Sequence, residues 1–330
     1  MTLILTTGDP AGIGPELILR AAALYQPRWP VQVVGSGDVL VRTYERLRSW
    51  GQPAVDPAKL TVVDVPAPAA IQPGCPSPLT GALSVRYLER AMTLGPQALV
   101  TGPIAKGYWQ AAGYAYAGQT EFLAQATGSA ATGMLFLARS PHSGWVLRTL
   151  LVTTHIPLAQ VPQQLTPDRL TEKLGLLVES LAQDFGLTHP RIAVAGLNPH
   201  SGEQGYLGTE EQDILIPWLE QMGRQFPQVT LIGPVPPDTL WVAPAQAWWS
   251  ADNPPPWDAC LALYHDQGLI PVKALAFAQA VNVTLGLPLV RTSPDHGTAF
   301  DIAGQGKADP RSFIQAWQWA EWLWEQRFRP

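Results

Sequence analysis

Short apolar runs, each closed by a polar turn, alternate along this chain with longer stretches of helical period, and that alternation constrains the fold more than any other feature. The runs from Leu3 to Thr7, Val31 to Val34, Leu60 to Val63, Ala98 to Val100, Val146 to Val152 and Ile192 to Ala195 read as strands, and Ala259 to Tyr264 as a strand buried on both faces. Helices are expected between them. The clearest has Thr166 as cap, Pro167 in the first turn, and Leu170, Leu174, Leu177, Val178, Leu181 and Phe185 along one face. Others are expected from Pro15, over about Gly81 to Thr93, and from Arg311 to about Gln326. Such a chain is α/β, and its 330 residues exceed the usual size of one core, so two domains or one elaborated α/β unit are expected. In the last helix Phe313, Trp317 and Ala320 share a side that Trp319 and Trp322 cannot both join, which assigns some of these tryptophans to another subunit or domain.

Ligands of open α/β sheets sit beyond the carboxyl ends of the strands, which directs attention to the polar residues there. The stretch from Asp258 to Arg291 holds the most: His265 directly after a strand, then Lys273, Asn282 and Arg291, all near expected strand or loop ends. His155 and His200 stand in the same setting, 45 residues apart, with His265 a further 65 on. Three imidazoles with an open position make a common catalytic metal site, although a histidine at a strand end is as readily a hydrogen-bonded structural residue. Gly8 to Glu16 is either an anion-binding loop at a helix N-terminus or a tight strand-to-helix connection. Gly35-Ser36-Gly37 resembles a dinucleotide fingerprint but has Leu40 where the third glycine belongs, and is set aside. Lys106 is a second candidate cation, Thr120 either a helix cap or a ligand hydroxyl, and Thr209 to Gln212 a capping-box pattern that makes Glu210, Glu211 and Asp213 structural.

Composition narrows the partners. A net charge of -5 and the lack of a basic run speak against nucleic acid, and an anionic substrate would need locally placed cations. With 46% hydrophobic and 14% charged residues the surface suits self-association. Cys75 and Cys260 suggest no disulfide framework, and the chain opens on a strand rather than a signal peptide, so a cytoplasmic setting is expected. No apolar stretch approaches the roughly 18 residues of a membrane span.

In order along the chain, Gly8 to Glu16, Thr101 to Lys106, Thr153 to Leu158, Gly196 to Glu203, Tyr264 to Gly268 and Val281 to Asp309 together resemble the 4-hydroxythreonine-4-phosphate dehydrogenase family of pyridoxal 5'-phosphate (pyridoxine) biosynthesis, over essentially the whole length. The resemblance implies the two-domain α/β fold of isocitrate and isopropylmalate dehydrogenases, with an interdomain active-site cleft and a homodimer that shares the site between subunits. The nucleotide-side domain would be 1–125 plus 295–330, and the metal, substrate and dimerisation domain 126–294. It further implies a divalent metal (zinc, cobalt or magnesium) on His155, His200 and His265, and catalysis by these with Lys273. Substrate would be bound by Gln119, Thr120, Lys273, Asn282 and Arg291, and NAD by His296, Gly297, Asp301 and Asp309, Asp301 holding the adenosine ribose.

The implied reaction is oxidation of 4-phosphohydroxy-L-threonine by NAD to 2-amino-3-oxo-4-phosphooxybutanoate, which decarboxylates to 3-amino-2-oxopropyl phosphate. A related dehydrogenase of a four-carbon sugar-acid 4-phosphate would need nearly the same groups. A non-catalytic metal- or phosphate-binding homologue would have no use for the ribose contact at Asp301. One departure stands out: where the family usually reads Gly-His-Thr-Glu, this chain has Gly118-Gln119-Thr120-Glu121. Gln keeps a donor that could reach an anionic oxygen but cannot become cationic or shuttle a proton, so a positioning role is expected there.

Overall fold

The computed structural model describes residues 2–253 and 257–328. The chain forms two compact units, Met1–Ala130 with Leu287–Pro330, and Ala131–Gly286.

In the first unit β1 (Leu3–Thr6), β2 (Val31–Gly35), β3 (Thr61–Asp64) and β4 (Ala98–Thr101) follow the expected alternation with helices Gly14–Leu24, Gly37–Ser49 and Pro78–Thr93. All pair in parallel, β1 at the centre with Leu5 between Val33 and Val100. The helix Gly14–Leu24 starts where Pro15 costs no hydrogen bond, and Leu17, Ile18 and Ala21 face the sheet fully buried. The helix Pro78–Thr93 carries a capping box, Ser77 and Thr80 each bonding the other's backbone N–H. Leu83, Val85, Tyr87 and Leu88 from that helix meet Ile4, Val34, Leu99 and Trp109 in the core.

The second unit begins with an antiparallel pair, β5 (Gly133–Arg139) and β6 (Val146–Leu151). It continues with β7 (Arg191–Ala195), β8 (Thr230–Val235), β9 (Ala259–Ala262) and β10 (Val281–Leu285). Strand order in this unit is β10-β5-β6-β9-β7-β8, with parallel pairing from β6 onward. The carboxyl ends of β6, β9 and β7 therefore lie along one edge. The long helix Pro167–Phe185 is capped by Thr166, whose hydroxyl accepts from the Arg169 N–H, and buries the apolar face read from its period. Gly268, in the helix His265–Ala276, has to be glycine: a Cβ there would meet Leu151 Cδ2 at 2.6 Å. That contact lets the helix lie directly on β6 and β9.

The last strand, β11 (Val290–Pro294), returns to the first unit and pairs with β4, so Arg291 belongs there rather than with the domain expected to run to residue 294. The helix Arg311–Phe328 closes that unit, with Phe313, Ala316, Trp317, Ala320 and Leu323 buried at helical spacing. Trp319, expected to be left over, is also buried within the chain, and its ring stands edge-on to Trp322. Both cysteines are free, and among the described residues no helix is long and apolar enough to cross a membrane.

Three local expectations change. Thr120 caps nothing: helix Gln119–Thr127 has Gly118 at its cap, and Thr120 lies in the first turn. Lys273 stands on the last turn of the helix His265–Ala276, which starts at His265 itself, rather than at a strand end or in a loop. Thr209 forms no capping box; a wide π-helical turn, Glu211–Leu215, precedes the helix Ile216–Gln225, and the Glu211 carboxylate accepts from the Leu197 amide.

Candidate active site

In the second unit the strand ends bring two of the three histidines together. Beyond β6, the Val152 amide donates to Ala262 O at 2.8 Å and the Thr153 hydroxyl to Leu263 O at 2.7 Å, so the chain leaving β6 stays tied to that leaving β9. His155 and His265 follow two residues later on each side, and their rings stand 5.6 Å apart, tilted by 44°. The His265 Nδ1 lies 2.7 Å from Asp266 Oδ1, a contact that favours the tautomer with the proton on Nδ1 and leaves the lone pair on Nε2. Gln267, buried, accepts from the Leu263 N–H at 2.7 Å and donates to Gly196 O at 2.7 Å, clamping the end of β9 to the end of β7.

His200 sits on the loop beyond β7. Its ring is exposed, and Nδ1 lies 2.5 Å from Glu203 Oε1; that hydrogen bond holds the imidazole above its ordinary pKa. The backbone here is left-handed from His200 to Gln204, with φ of 51°, 52°, 80°, 43° and 59°. Only Gly202 takes this up without cost, so the other four residues need external support. Glu211 provides it. Its buried carboxylate accepts from the Leu197 and Asn198 amides at 2.7 Å each and from Asn198 Nδ2 at 2.9 Å, and a Cβ on Gly202 would meet its Oε2 at 2.8 Å. Among the described residues no three His, Cys, Asp or Glu side chains are gathered to hold a metal ion within one chain.

In the first unit the candidate anion site is Arg291. It is buried, and burial pulls its guanidinium down to about 10, still cationic at neutral pH. Nη2 donates to Thr101 Oγ1 at 2.8 Å and to Gln119 Oε1 at 2.6 Å. Gln119 Nε2 in turn donates to Gly102 O at 2.8 Å. Both ends of the Gln119 amide are thus engaged inside the protein.

The glycine loop is a packed connection rather than an open cradle. The Asp9 N–H donates to Pro103 O at 2.9 Å, the Gly12 N–H to Asp9 O at 3.0 Å and the Ile13 N–H to Thr298 O at 3.0 Å. Asp9 is fully buried, accepts from the Ala11 N–H and the Thr80 hydroxyl, and is pushed up to about 6 by desolvation. The Gly35–Gly37 turn likewise spends its Gly37 N–H on Asp64 Oδ1 at 2.7 Å.

The loop from His296 to Asp309 is anchored at its far end. The Ala308 N–H donates to Glu16 Oε1 at 3.0 Å, and Arg20 Nη1 donates to Ala308 O at 2.6 Å and Gly306 O at 3.1 Å. Asp301 is exposed at the loop's crest, where its backbone oxygen accepts from Gln305 Nε2 at 2.6 Å. The Asp309 carboxylate pairs with Arg311 at 2.5 Å, and that bond lowers its pKa. His296 Nδ1 donates to Gly297 O at 3.1 Å.

Residues 16–320 match the family described as pyridoxal phosphate biosynthetic protein PdxA. The chain belongs to the PdxA family. A 4-hydroxythreonine-4-phosphate dehydrogenase of Thermosynechococcus vestitus is 57% identical over 330 residues, covering 98% of this chain and 97% of its own. The crystal structure of 4-hydroxythreonine-4-phosphate dehydrogenase from Klebsiella pneumoniae matches with a TM-score of 0.83 at 36% identity, over 98% of each chain. A β-decarboxylating dehydrogenase of Thermococcus kodakarensis shares the fold alone, with a TM-score of 0.51 at 16% identity over 96% of this chain and 82% of its own.

Within this PdxA-family chain the structure brings His155 to His265, and Thr101 and Gln119 to Arg291. Asn282 lies on β10 with its amide oxygen buried and without a hydrogen-bond partner among the described residues, and Lys273 is half-buried on the helix above. Sequence reasoning passed over Gln267, Asp9 and the Glu16–Arg20 pair, and read Glu211 as a helix-start acid. All make at least one bond to a group outside their own turn of chain, Asp9 to the Thr80 hydroxyl and the others to backbone. Only the side-by-side Gln267-Gly268 after His265 offered a local signal.

Proposed function

We propose that the protein oxidises 4-phosphohydroxy-L-threonine with NAD, in a reaction that requires a divalent metal, giving 2-amino-3-oxo-4-phosphooxybutanoate, which loses carbon dioxide to leave 3-amino-2-oxopropyl phosphate. The reading is carried by the near-full-length kinship with a dehydrogenase of that name, joined to the paired imidazoles of His155 and His265. The substrate's secondary alcohol gives its hydride to NAD and its proton to solvent, and the resulting β-keto acid is prone to decarboxylation.

His155, His200 and His265 would hold the metal. The donor set fits: two imidazoles lie side by side at one strand edge, and the Nδ1 atoms of His200 and His265 are each held by a carboxylate, which leaves the lone pair on Nε2. Imidazole donors favour zinc or cobalt over magnesium. In a homodimer that draws the ligands from both copies, a single chain need not gather all three. When bound, the ion supplies Lewis acidity to the alcohol oxygen and to the carbonyl that replaces it. Lys273 and Arg291 supply cations for the phosphate and carboxylate, with Thr120 and Asn282 as neutral partners that orient the substrate. Asp301, exposed on its loop, accepts the ribose hydroxyls of the nucleotide, with His296, Gly297 and Asp309 beside it on the same loop. The cytoplasm, where NAD is abundant, suits this work.

The test is a comparison of kcat/KM for 4-phosphohydroxy-L-threonine and for a four-carbon sugar-acid 4-phosphate at saturating NAD. A preference for the amino acid is expected. A preference for the sugar acid would move the assignment to the related dehydrogenase.

A further inference from the structure

The Gln119 side chain is buried, lies beside the candidate anion site, and has no titratable atom. Its orientation is unambiguous. The amide oxygen must face the guanidinium, which can only donate, and the amide nitrogen must face the Gly102 carbonyl, which can only accept. Together with Thr101 Oγ1, Gln119 Oε1 uses both hydrogens of Arg291 Nη2. One hydroxyl and one amide therefore brace this edge of the guanidinium, and the amide is fixed by the backbone that follows β4.

We propose that Gln119 is a positioning residue that reaches the substrate only through Arg291: a neutral brace that holds the guanidinium in its anion-binding orientation at any pH. This rests on the reading of Arg291 as a substrate-binding cation. An imidazole at the same place could accept from Arg291 only while neutral, and once protonated would set a second cation against the first. The charged groups around the position are Arg291 on β11, Glu121 two residues on in the same helix, and Lys106 at the start of helix Lys106–Ala111, whose Cε lies 3.2 Å from where a Cβ on Gly118 would stand. Of these only the acid could offset an imidazolium, and Glu121 already bears on Arg291.

The test uses the full-length, metal-loaded protein and five variants, Gln119→Leu, Gln119→His, Thr101→Val, Arg291→Met and the double variant Gln119→Leu with Arg291→Met, each first checked by its melting curve. Gln119→Leu is expected to raise KM for 4-phosphohydroxy-L-threonine about tenfold while kcat stays within about threefold, as loss of one charge-assisted bond implies. In an Arg291→Met background the same substitution is expected to add nothing, because the group it orients is gone. Independent, multiplicative effects would show that Gln119 touches the substrate itself and would overturn the brace. Thr101→Val, which removes the other acceptor, is expected to mimic Gln119→Leu in KM.

Gln119→His supplies a pH readout that a packing role would not move. Its KM is expected to climb more steeply than the parent's as pH falls through the imidazole range, since the metal-holding histidines and the substrate phosphate titrate there in both proteins. A KM profile for Gln119→His no steeper than the parent's, or Gln119→Leu with unchanged KM, would overturn the proposal. If the parent protein fails to bind 4-phosphohydroxy-L-threonine at all, it is the functional reading that fails. The brace is then judged with inorganic phosphate as the probe: the same pattern of dissociation constants across the variants supports it, and indifference to Gln119→Leu overturns it.

Discussion

Removing the Glu211 carboxylate should loosen the loop that carries His200, and the size of the effect follows from the bonds it makes. Four non-glycine residues, His200, Ser201, Glu203 and Gln204, hold left-handed backbone at a cost of roughly 1 kcal/mol each. Against that strain of about 4 kcal/mol, Glu211 contributes three hydrogen bonds at 2.7, 2.7 and 2.9 Å, each worth about 1.5 to 3 kcal/mol because the acceptor is charged. The two sums are of the same size, so without the carboxylate the turn is expected to relax to right-handed backbone. Relaxation swings the His200 ring away from its bound position, and metal affinity should fall about 10- to 100-fold, or roughly 1.4 to 2.8 kcal/mol. Glu211→Gln should lie between, since one amide oxygen can keep the two backbone N–H groups but its NH2 would face the Asn198 amide. Competition with a fluorescent zinc chelator measures the affinity, and melting curves of the metal-free proteins measure the cost to the fold. Unchanged metal affinity in a Glu211→Ala protein that melts earlier would refute the reasoning, because Glu211 would then serve the fold and not His200.

Three further outcomes are expected. His265→Ala should lose bound metal and turnover together while retaining its helical circular dichroism, and full metal content by elemental analysis would remove His265 from the ligand set. Asp301→Asn should narrow the preference for NAD over NADP, since a carboxylate accepts from the ribose hydroxyls and repels a 2'-phosphate; equal kcat/KM for both cofactors in the parent protein would contradict that placement. Asp9 is pushed above its ordinary value to about 6, so the folded state binds this proton more tightly than the unfolded chain, and its contribution to stability is present at low pH and lost as pH rises from about 4 to about 6. Asp9→Asn should flatten that part of the stability profile in urea titrations, and an unaltered slope would show that Asp9 does not titrate there.

The alternation of strands and helices was legible because each run must bury a face whatever its neighbours are. So was the Thr166-capped helix, whose cap and apolar stripe are both local. The sites of His155 and His265 followed from their place just past a strand, and parallel pairing of β6 with β9 brought the rings together. Lys273 was expected near a strand or loop end, whereas it lies on a helix that starts at His265 and that Gly268 packs against β6 and β9. Glu211 looked like a helix-start acid, but its carboxylate accepts from two backbone amides 13 and 14 residues earlier. Such long-range acceptors leave no trace in local sequence. Gln119 marked itself only by departing from the family pattern, and its partners came from β4 and β11.

The most direct measurement is NADH formation by the metal-loaded protein given 4-phosphohydroxy-L-threonine and NAD, with and without a chelator. The account predicts steady NADH production, accompanied by release of carbon dioxide, that stops on chelation and returns when zinc or cobalt is restored. NADH production that is indifferent to the chelator would contradict the metal role of His155, His200 and His265, and no NADH from the fully metal-loaded protein would contradict the activity itself.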